Sequence, residues 1–123
     1  MKLLNIVVIG TGMFSTGRGT SGFGTILPAI FEWKRTHNCI DKVVFVGTNG
    51  LHSNDVIDKF TKISELAKIS IDIDVFPKGR EKNSKAYLEV INKIQRPACV
   101  VVAVPDHIHY EVTQACLIAD IPV

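Results

Sequence analysis

Apolar and polar residues follow two different patterns that alternate along the chain. Residues 42–47, which are apolar after Lys42, residues 98–104 and an apolar stretch that ends at Ile9 predict strands buried on both faces. Residues 71–75 alternate isoleucine with aspartate and predict a half-exposed edge strand. Between the strands, apolar residues recur every three or four positions, which predicts amphipathic helices.

Four helices are predicted between and after these strands. The first covers residues 25–37, with Thr25 as its N-cap and Pro28 in the first turn, where a missing N–H costs nothing. Ser53 or Asp55 is expected to open the second, Asn83 or Ser84 the third, and Asp106 to cap the fourth. The inward face of the second helix is predicted to carry Val56, Ile57, Phe60, Ile63 and Ala67.

This order of elements predicts an α/β fold in which helices cover both faces of a parallel sheet. With 71–75 at the edge, the expected arrangement is a doubly wound, Rossmann-like sheet with strand order 3-2-1-4. Ligands bind such sheets at the point where the strand order reverses. The expected crevice is walled by residues 10–14 on one side and 104–109 on the other.

The last residues, 121–123, are apolar and resemble the beginning of a fifth strand. We interpret residues 1–123 as one domain that is truncated there, so that any substrate-binding half would lie beyond Val123. The alternative is a naturally short domain whose last residues add an edge strand.

A glycine-rich segment follows the first strand. Gly10 and Gly12 form a Gly-x-Gly turn, which lets the backbone approach the pyrophosphate of a dinucleotide, but Ser15 stands where the usual fingerprint has a third glycine. About a dozen residues of loop then precede the first helix. That loop is either an insertion that folds over the ligand or a flexible tip without a role.

Composition narrows the class of protein. The chain has 123 residues, 46% of them apolar and 21% charged, and a net charge of +2 without a basic face, which argues against nucleic-acid binding. Its longest apolar run is too short for a membrane helix, and no signal-peptide pattern is present, so we expect a cytoplasmic protein. Cys39, Cys99 and Cys116 lack metal-ligand spacing, which predicts reduced thiols and no metal site.

Residues 100–123 resemble the glucose-fructose oxidoreductase and inositol dehydrogenase (Gfo/Idh/MocA) family. In that family a strand ends in a Thr-Pro-Asn-like turn, with a histidine four residues after the proline, then a helix and a short strand. Here Pro105, Asp106 and His109 match the turn and the helix, and Val104 stands where threonine is common. Residues 27–30 resemble the family's first helix, so the likeness covers essentially the whole chain.

The resemblance implies an NAD- or NADP-dependent oxidoreductase that acts by hydride transfer on a sugar, cyclitol or sugar nucleotide and forms a homo-oligomer. The family's catalytic lysine would fall just past Val123, so no catalytic residue is expected within this chain. Positions carried over from the family place Gly10, Thr11, Gly12, Met13 and Phe14 at the pyrophosphate. Other such positions lie at the adenosine ribose (Thr48, Asn49) and towards the nicotinamide (Val104, Pro105, His109). His109 could instead simply pack at the edge of the crevice.

Two departures from the family pattern affect the cofactor. The family's first loop is short, so the additional residues leave open whether Ser15 and Arg18 contact phosphate or whether Arg18 is solvated. Thr48 stands where an NAD-binding protein usually has an acidic residue that bonds the ribose hydroxyls. Without that carboxylate a 2′-phosphate is not repelled, so NADP is slightly favoured over NAD, although Thr-Asn-Gly is also ordinary turn chemistry.

Two other functions compete with the dehydrogenase. A protein that senses NAD(P) could keep the fold without catalysis, because fold alone does not determine function. A methyltransferase that uses S-adenosylmethionine also has a glycine loop, but its second strand normally ends in an acidic residue, which Thr48 disfavours.

Overall fold

Four parallel strands form the sheet that the sequence predicts. In the computed structural model, which describes residues 2–123, they are β1 (Leu4–Ile9), β2 (Ile40–Val46), β3 (Asp72–Phe76) and β4 (Ala98–Val102). Their order is β3-β2-β1-β4, so the α/β class and the 3-2-1-4 order are confirmed.

Helices cover both faces of this sheet. They are α1 (Met13–Thr16), α2 (Ile26–His37), α3 (Gly50–Ala67), α4 (Ala86–Lys93) and α5 (Asp106–Ile118). Apolar residues of α2 and α3 pack on one face in a core centred on Val8 and Phe45. Those of α4 and α5 pack on the other face around Val7 and Val44. The switch of faces after β3 is what opens a crevice beyond the ends of the central strands.

The pairing of the strands explains their patterns of apolar and polar residues. Val7 of β1 pairs with Val44 on one side and Val100 on the other, and all three are buried. The partner of Val44 in β3 is Asp74, whose neighbour Val75 points into the core. The alternation in β3 therefore marks the edge strand, as predicted.

The glycine-rich segment differs from the prediction. It is not a loop of a dozen residues, because Met13–Thr16 forms one helical turn directly after Gly12. Residues 17–24, which we call the 17–24 loop, follow α1, and the chain comes back to α1 at the end of this loop. The N–H of Thr25 donates to the carbonyl of Phe14 at 2.7 Å, so the two ends of the loop are joined.

Two predicted helix starts were wrong, and the predicted cap of α5 was wrong by one residue, because Pro105 is its N-cap and Asp106 its first helical residue. Helix α3 begins at Gly50, three residues before Ser53, because Asn49 is the N-cap and its Oδ1 accepts the N–H of Leu51 at 3.0 Å. Helix α4 begins at Ala86 rather than next to Asn83. The Asn83 side chain instead accepts the N–H of Lys85 in a turn before the helix.

The buried face of α3 also differs in part from the prediction. Val56, Phe60 and Ile63 are buried as expected, whereas Ile57 and Ala67 are exposed. Polar residues lie on the buried face as well, namely Ser53 and Lys59. The apolar spacing of α3 therefore predicts which side of the helix faces the core, but not all of the residues that are buried on that side.

The C-terminal residues lie beside β4. The carbonyl of Pro122 accepts the N–H of Val100 at 2.8 Å, and Ile121 is buried in the core of that face. Residues 121–123 belong to no strand in the structure, so the fifth strand stays a prediction.

Candidate functional site

A cavity of about 360 Å³ lies at the carboxyl ends of β1, β2 and β4, where the sequence predicts the crevice. Its lining comes from the turns after β1 and β2, the residues after β4, the 17–24 loop, and the N-terminal parts of α3, α4 and α5. The lining residues are Ile9, Gly10, Thr11, Gly12, Arg18, Val46, Gly47, Thr48, His52, Ser84, Tyr87, Ala103, Val104, Pro105, Ile108 and Val112.

Gly10 makes the sharp turn that forms the floor of this cavity. Its N–H donates to Val46 of β2, and the N–H of Ala103 after β4 donates to Ile9, each at 2.8 Å. Gly10 has φ +115°, and a Cβ placed on it would lie only 2.1 Å from the carbonyl oxygen of Ala103. Only glycine fits this close approach, which leaves bare backbone facing the cavity.

Thr11 orients the floor towards β2. It is buried, and its Oγ1 lies 2.5 Å from the position that a Cβ on Gly47 would occupy. The chain therefore passes the end of β2 closely at this point, and Thr48 follows at the rim.

Arg18 reaches this floor from the 17–24 loop. Its Nε donates to the carbonyl of Thr11 at 2.9 Å, and its Nη1 donates to Nε2 of His52 at 3.3 Å. The other terminal nitrogen, Nη2, lies 3.9 Å from the position of a Cβ on Gly12. The guanidinium thus lies over the turn formed by the first two glycines.

The charge of the cavity is unbalanced. Arg18 is the one lysine, arginine, aspartate or glutamate among its lining residues. The five ion pairs found within residues 2–123 all lie elsewhere and do not involve Arg18. A cation that lines a cavity without a carboxylate partner attracts an anion into it.

The structure brings together seven of the predicted site residues. Those that line the cavity are Gly10, Thr11, Gly12, Arg18, Thr48, Val104 and Pro105. The others do not line it. Met13 and Phe14 expose about two thirds of their surface on α1, Ser15 is buried beneath that turn, and the Asn49 side chain caps α3. His109 is exposed on α5, with Nδ1 3.5 Å from Oγ1 of Thr113.

Sequence reasoning did not assign His52, Ser84 and Tyr87 to the site, although all three line the cavity, whereas Ile108 lies within the predicted 104–109 wall. The predicted start of α3 at Ser53 or Asp55 left His52 outside the helix. The usable signal was Asn49, a good N-cap, which places His52 in the first turn beside the end of β2.

A second concavity, of about 430 Å³, lies between α4 and the outer part of the sheet. Its lining includes five carboxylates, those of Asp41, Asp72, Asp74, Glu81 and Glu89, against the lysines Lys42 and Lys93. It is not at the carboxyl ends of the central strands, and its charge would repel a nucleotide. It is therefore not the candidate site.

Within residues 2–123, no group of three histidine, cysteine, aspartate or glutamate side chains is placed to hold a metal ion. None of the helices in this range is both long and apolar enough to cross a bilayer. Comparison with protein-family models, with curated proteins and with solved structures finds no match to this chain. The family resemblance of residues 100–123 therefore stays a prediction, and the site rests on its own geometry.

Proposed function

We propose that this crevice binds NADP or NAD and that the chain is the cofactor-binding domain of an oxidoreductase. The observation that carries the proposal is a glycine-floored cavity at the ends of β1, β2 and β4 in which Arg18 is the one charged side chain. Such cavities at the reversal of strand order bind dinucleotides in doubly wound sheets.

The residues present fit a dinucleotide. Bare backbone at Gly10 and Gly12 leaves room for a pyrophosphate, and Arg18 gives the cavity a positive charge that suits an anionic ligand. A long helix pointing at the phosphates, the usual arrangement, is replaced here by the single turn of α1. The pyrophosphate would therefore lie against the bare backbone of the Gly10–Gly12 turn, with little help from a helix N-terminus.

The two sides of the cavity suit different halves of the cofactor. The β2 side carries polar groups, Thr48 and His52, which suit the adenosine ribose. The β4 side is formed by Val104, Pro105 and Ile108, and this apolar wall suits a nicotinamide ring and would exclude water from it. The bound cofactor would supply the hydride acceptor or donor.

The reaction we propose is hydride transfer to or from a sugar, cyclitol or sugar-nucleotide substrate. It is supported by the resemblance of Pro105, Asp106 and His109 to the Gfo/Idh/MocA family. In that family the proton is exchanged by a lysine that would lie past Val123, and a substrate domain would follow it. Cytoplasmic location and homo-oligomers belong to the same proposal.

Calorimetric titration of the chain with NADP, NAD and S-adenosylmethionine tests cofactor binding. We expect saturable binding of at least one dinucleotide and none of S-adenosylmethionine. Saturable binding of S-adenosylmethionine alone would contradict the proposal in favour of a methyltransferase.

The alternative function is a sensor of NAD(P) that lacks catalysis. A protein extended past Val123 to include the next domain separates the two. Formation of reduced nicotinamide with a polyol substrate supports the enzyme, whereas tight cofactor binding with a substituted lysine and no turnover supports the sensor.

A further inference from the structure

Arg18 is held in place before any ligand arrives. The 17–24 loop that carries it is fastened to α3 by Lys59, a lysine with only 8% of its surface exposed. The Lys59 Nζ donates to the carbonyls of Thr20 at 2.7 Å and Gly22 at 2.5 Å. Within the loop, the Thr20 hydroxyl donates to the carbonyl of Gly17 at 2.7 Å. The loop is therefore a built support and not a flexible tip.

The Arg18 guanidinium keeps donors free for a ligand. It has five N–H groups, of which one is given to Thr11 and another to His52. Because arginine has no acceptor, Nε2 of His52 must accept this bond, which leaves its proton on Nδ1. The Arg18–His52 pair thus presents further donors and no competing carboxylate.

The pair lies on the β2 side of the crevice. Arg18 bonds Thr11, which packs against Gly47 at the end of β2, and His52 lies in the first turn of α3, four residues after Thr48. In a doubly wound sheet this side receives the adenosine ribose, and an arginine near it accommodates a 2′-phosphate. None of the lining residues is acidic, so nothing in the lining would repel that phosphate.

We propose that Arg18 and His52 form the subsite for the 2′-phosphate of NADP, with Lys59 as a positioning residue that holds Arg18 there. This inference rests on the proposed dinucleotide binding and adds the residues that select the cofactor. The role of the 17–24 loop would be to place the positive charge of Arg18 beside the 2′-phosphate, because β2 and the turn after it contribute no charged side chain to the cavity.

Binding of matched nucleotides by calorimetry tests the subsite. The probes are NADP and NAD, with adenosine 2′,5′-bisphosphate and 5′-AMP as the smaller pair. The protein should bind each 2′-phosphorylated member more tightly. Arg18→Gln should weaken NADP by at least about tenfold, or about 1.4 kcal/mol, while NAD changes by less than about threefold. His52→Gln should show the same selectivity with a smaller loss.

Control substitutions separate loss of the subsite from a general loss of positive charge on the protein. Arg35→Gln removes an exposed arginine that pairs with Glu32 on α2, and His37→Gln removes an exposed histidine at the end of that helix. Neither should change either affinity. Lys59→Met should weaken NADP and leave NAD nearly unchanged, with folding checked by circular dichroism.

The outcomes distinguish this inference from the proposed function. Equal losses for NADP and NAD on changing Arg18 would overturn the inference, because Arg18 would then contact the pyrophosphate they share. A protein that binds NAD at least tenfold more tightly than NADP would also overturn it. Absence of binding of either dinucleotide by the unmodified protein would remove the proposed function itself.

Discussion

At the scale of single residues, we expect the crevice to be sensitive to substitution of Gly10. Gly10→Ala places a Cβ 2.1 Å from the Ala103 carbonyl in addition to a strained φ, so we expect it to lower the free energy of unfolding by about 3 kcal/mol. Gly19→Ala is the matched control, because Gly19 has φ +83° but nothing within 4 Å of an added Cβ. It should cost only about 1 kcal/mol, measured by denaturant unfolding. Equal costs would show that the close approach to Ala103 is not rigid.

The cysteines give a second prediction at this scale. Burial raises the pKa of the Cys99 and Cys116 thiols above the ordinary value of 9.0. The unfolded chain then ionises first as the pH rises, so these thiols contribute stability below about pH 9 that is lost as the pH rises through their folded-state pKa.

Cys99→Ala should reduce that alkaline loss. Urea unfolding of both proteins between about pH 8 and 10 measures the effect, and lysine titration contributes equally to the two curves. A decline as steep in the Cys99→Ala variant as in the unmodified protein would contradict the prediction.

Residue-level prediction from sequence succeeded where chemistry is local. Gly10, Gly12 and Thr48 follow strands directly, so a correct strand position was enough to place them in the cavity. His52 depended on the start of α3, and helix starts compete among several good caps, here Asn49, Ser53 and Asp55. The Arg18–His52 contact joins residues 34 positions apart and leaves no periodic signal in the sequence.

At the scale of elements, Lys59 couples the 17–24 loop to α3. Removing the Lys59 ammonium should release the loop, because its two hydrogen bonds to loop carbonyls are charge-assisted. Trypsin cleavage after Arg18 should then accelerate by at least about tenfold in Lys59→Met.

Lys62→Met is the control for this experiment, since Lys62 is exposed on the same helix and also removes one trypsin site. It should leave the cleavage rate after Arg18 unchanged. An equal rate in Lys59→Met and the unmodified protein would show that the loop does not depend on Lys59.

The sequence predicts the strands and the longer helices but not α1, and the reason is physical. The buried strands and the faces of α2 and α5 follow from apolar spacing alone. Helix α1 has four residues and gains little from its own hydrogen bonds, so its stability comes from contacts with α2 and from the rejoining of the chain at Thr25. Neither contact is visible in a local pattern.

At the scale of the whole molecule, the sheet order could be predicted because strand composition reports burial. β1 and β2 are apolar on both faces, whereas β3 alternates, and right-handed crossovers leave few arrangements of four parallel strands. The crevice follows from that order. Its ligand does not, because the selective contacts come from a loop that the fold does not require.

The two concavities described above are lined by side chains of opposite net charge, and this charge predicts which of them binds an anionic ligand. The larger has five carboxylates against two lysines, and the smaller has Arg18 alone. We expect an anionic dinucleotide to choose the smaller cavity despite its lesser volume.

Binding of a dinucleotide in the crevice is tested by titrating ¹⁵N-labelled protein with NADP and following the amide chemical shifts. We expect saturable shifts at the cavity amides of Gly10, Gly12, Thr48 and Ala103, and no change at Asp72 and Glu89 in the other concavity. Shifts concentrated at Asp72 and Glu89, or no saturable shift at about 1 mM NADP, would contradict this expectation.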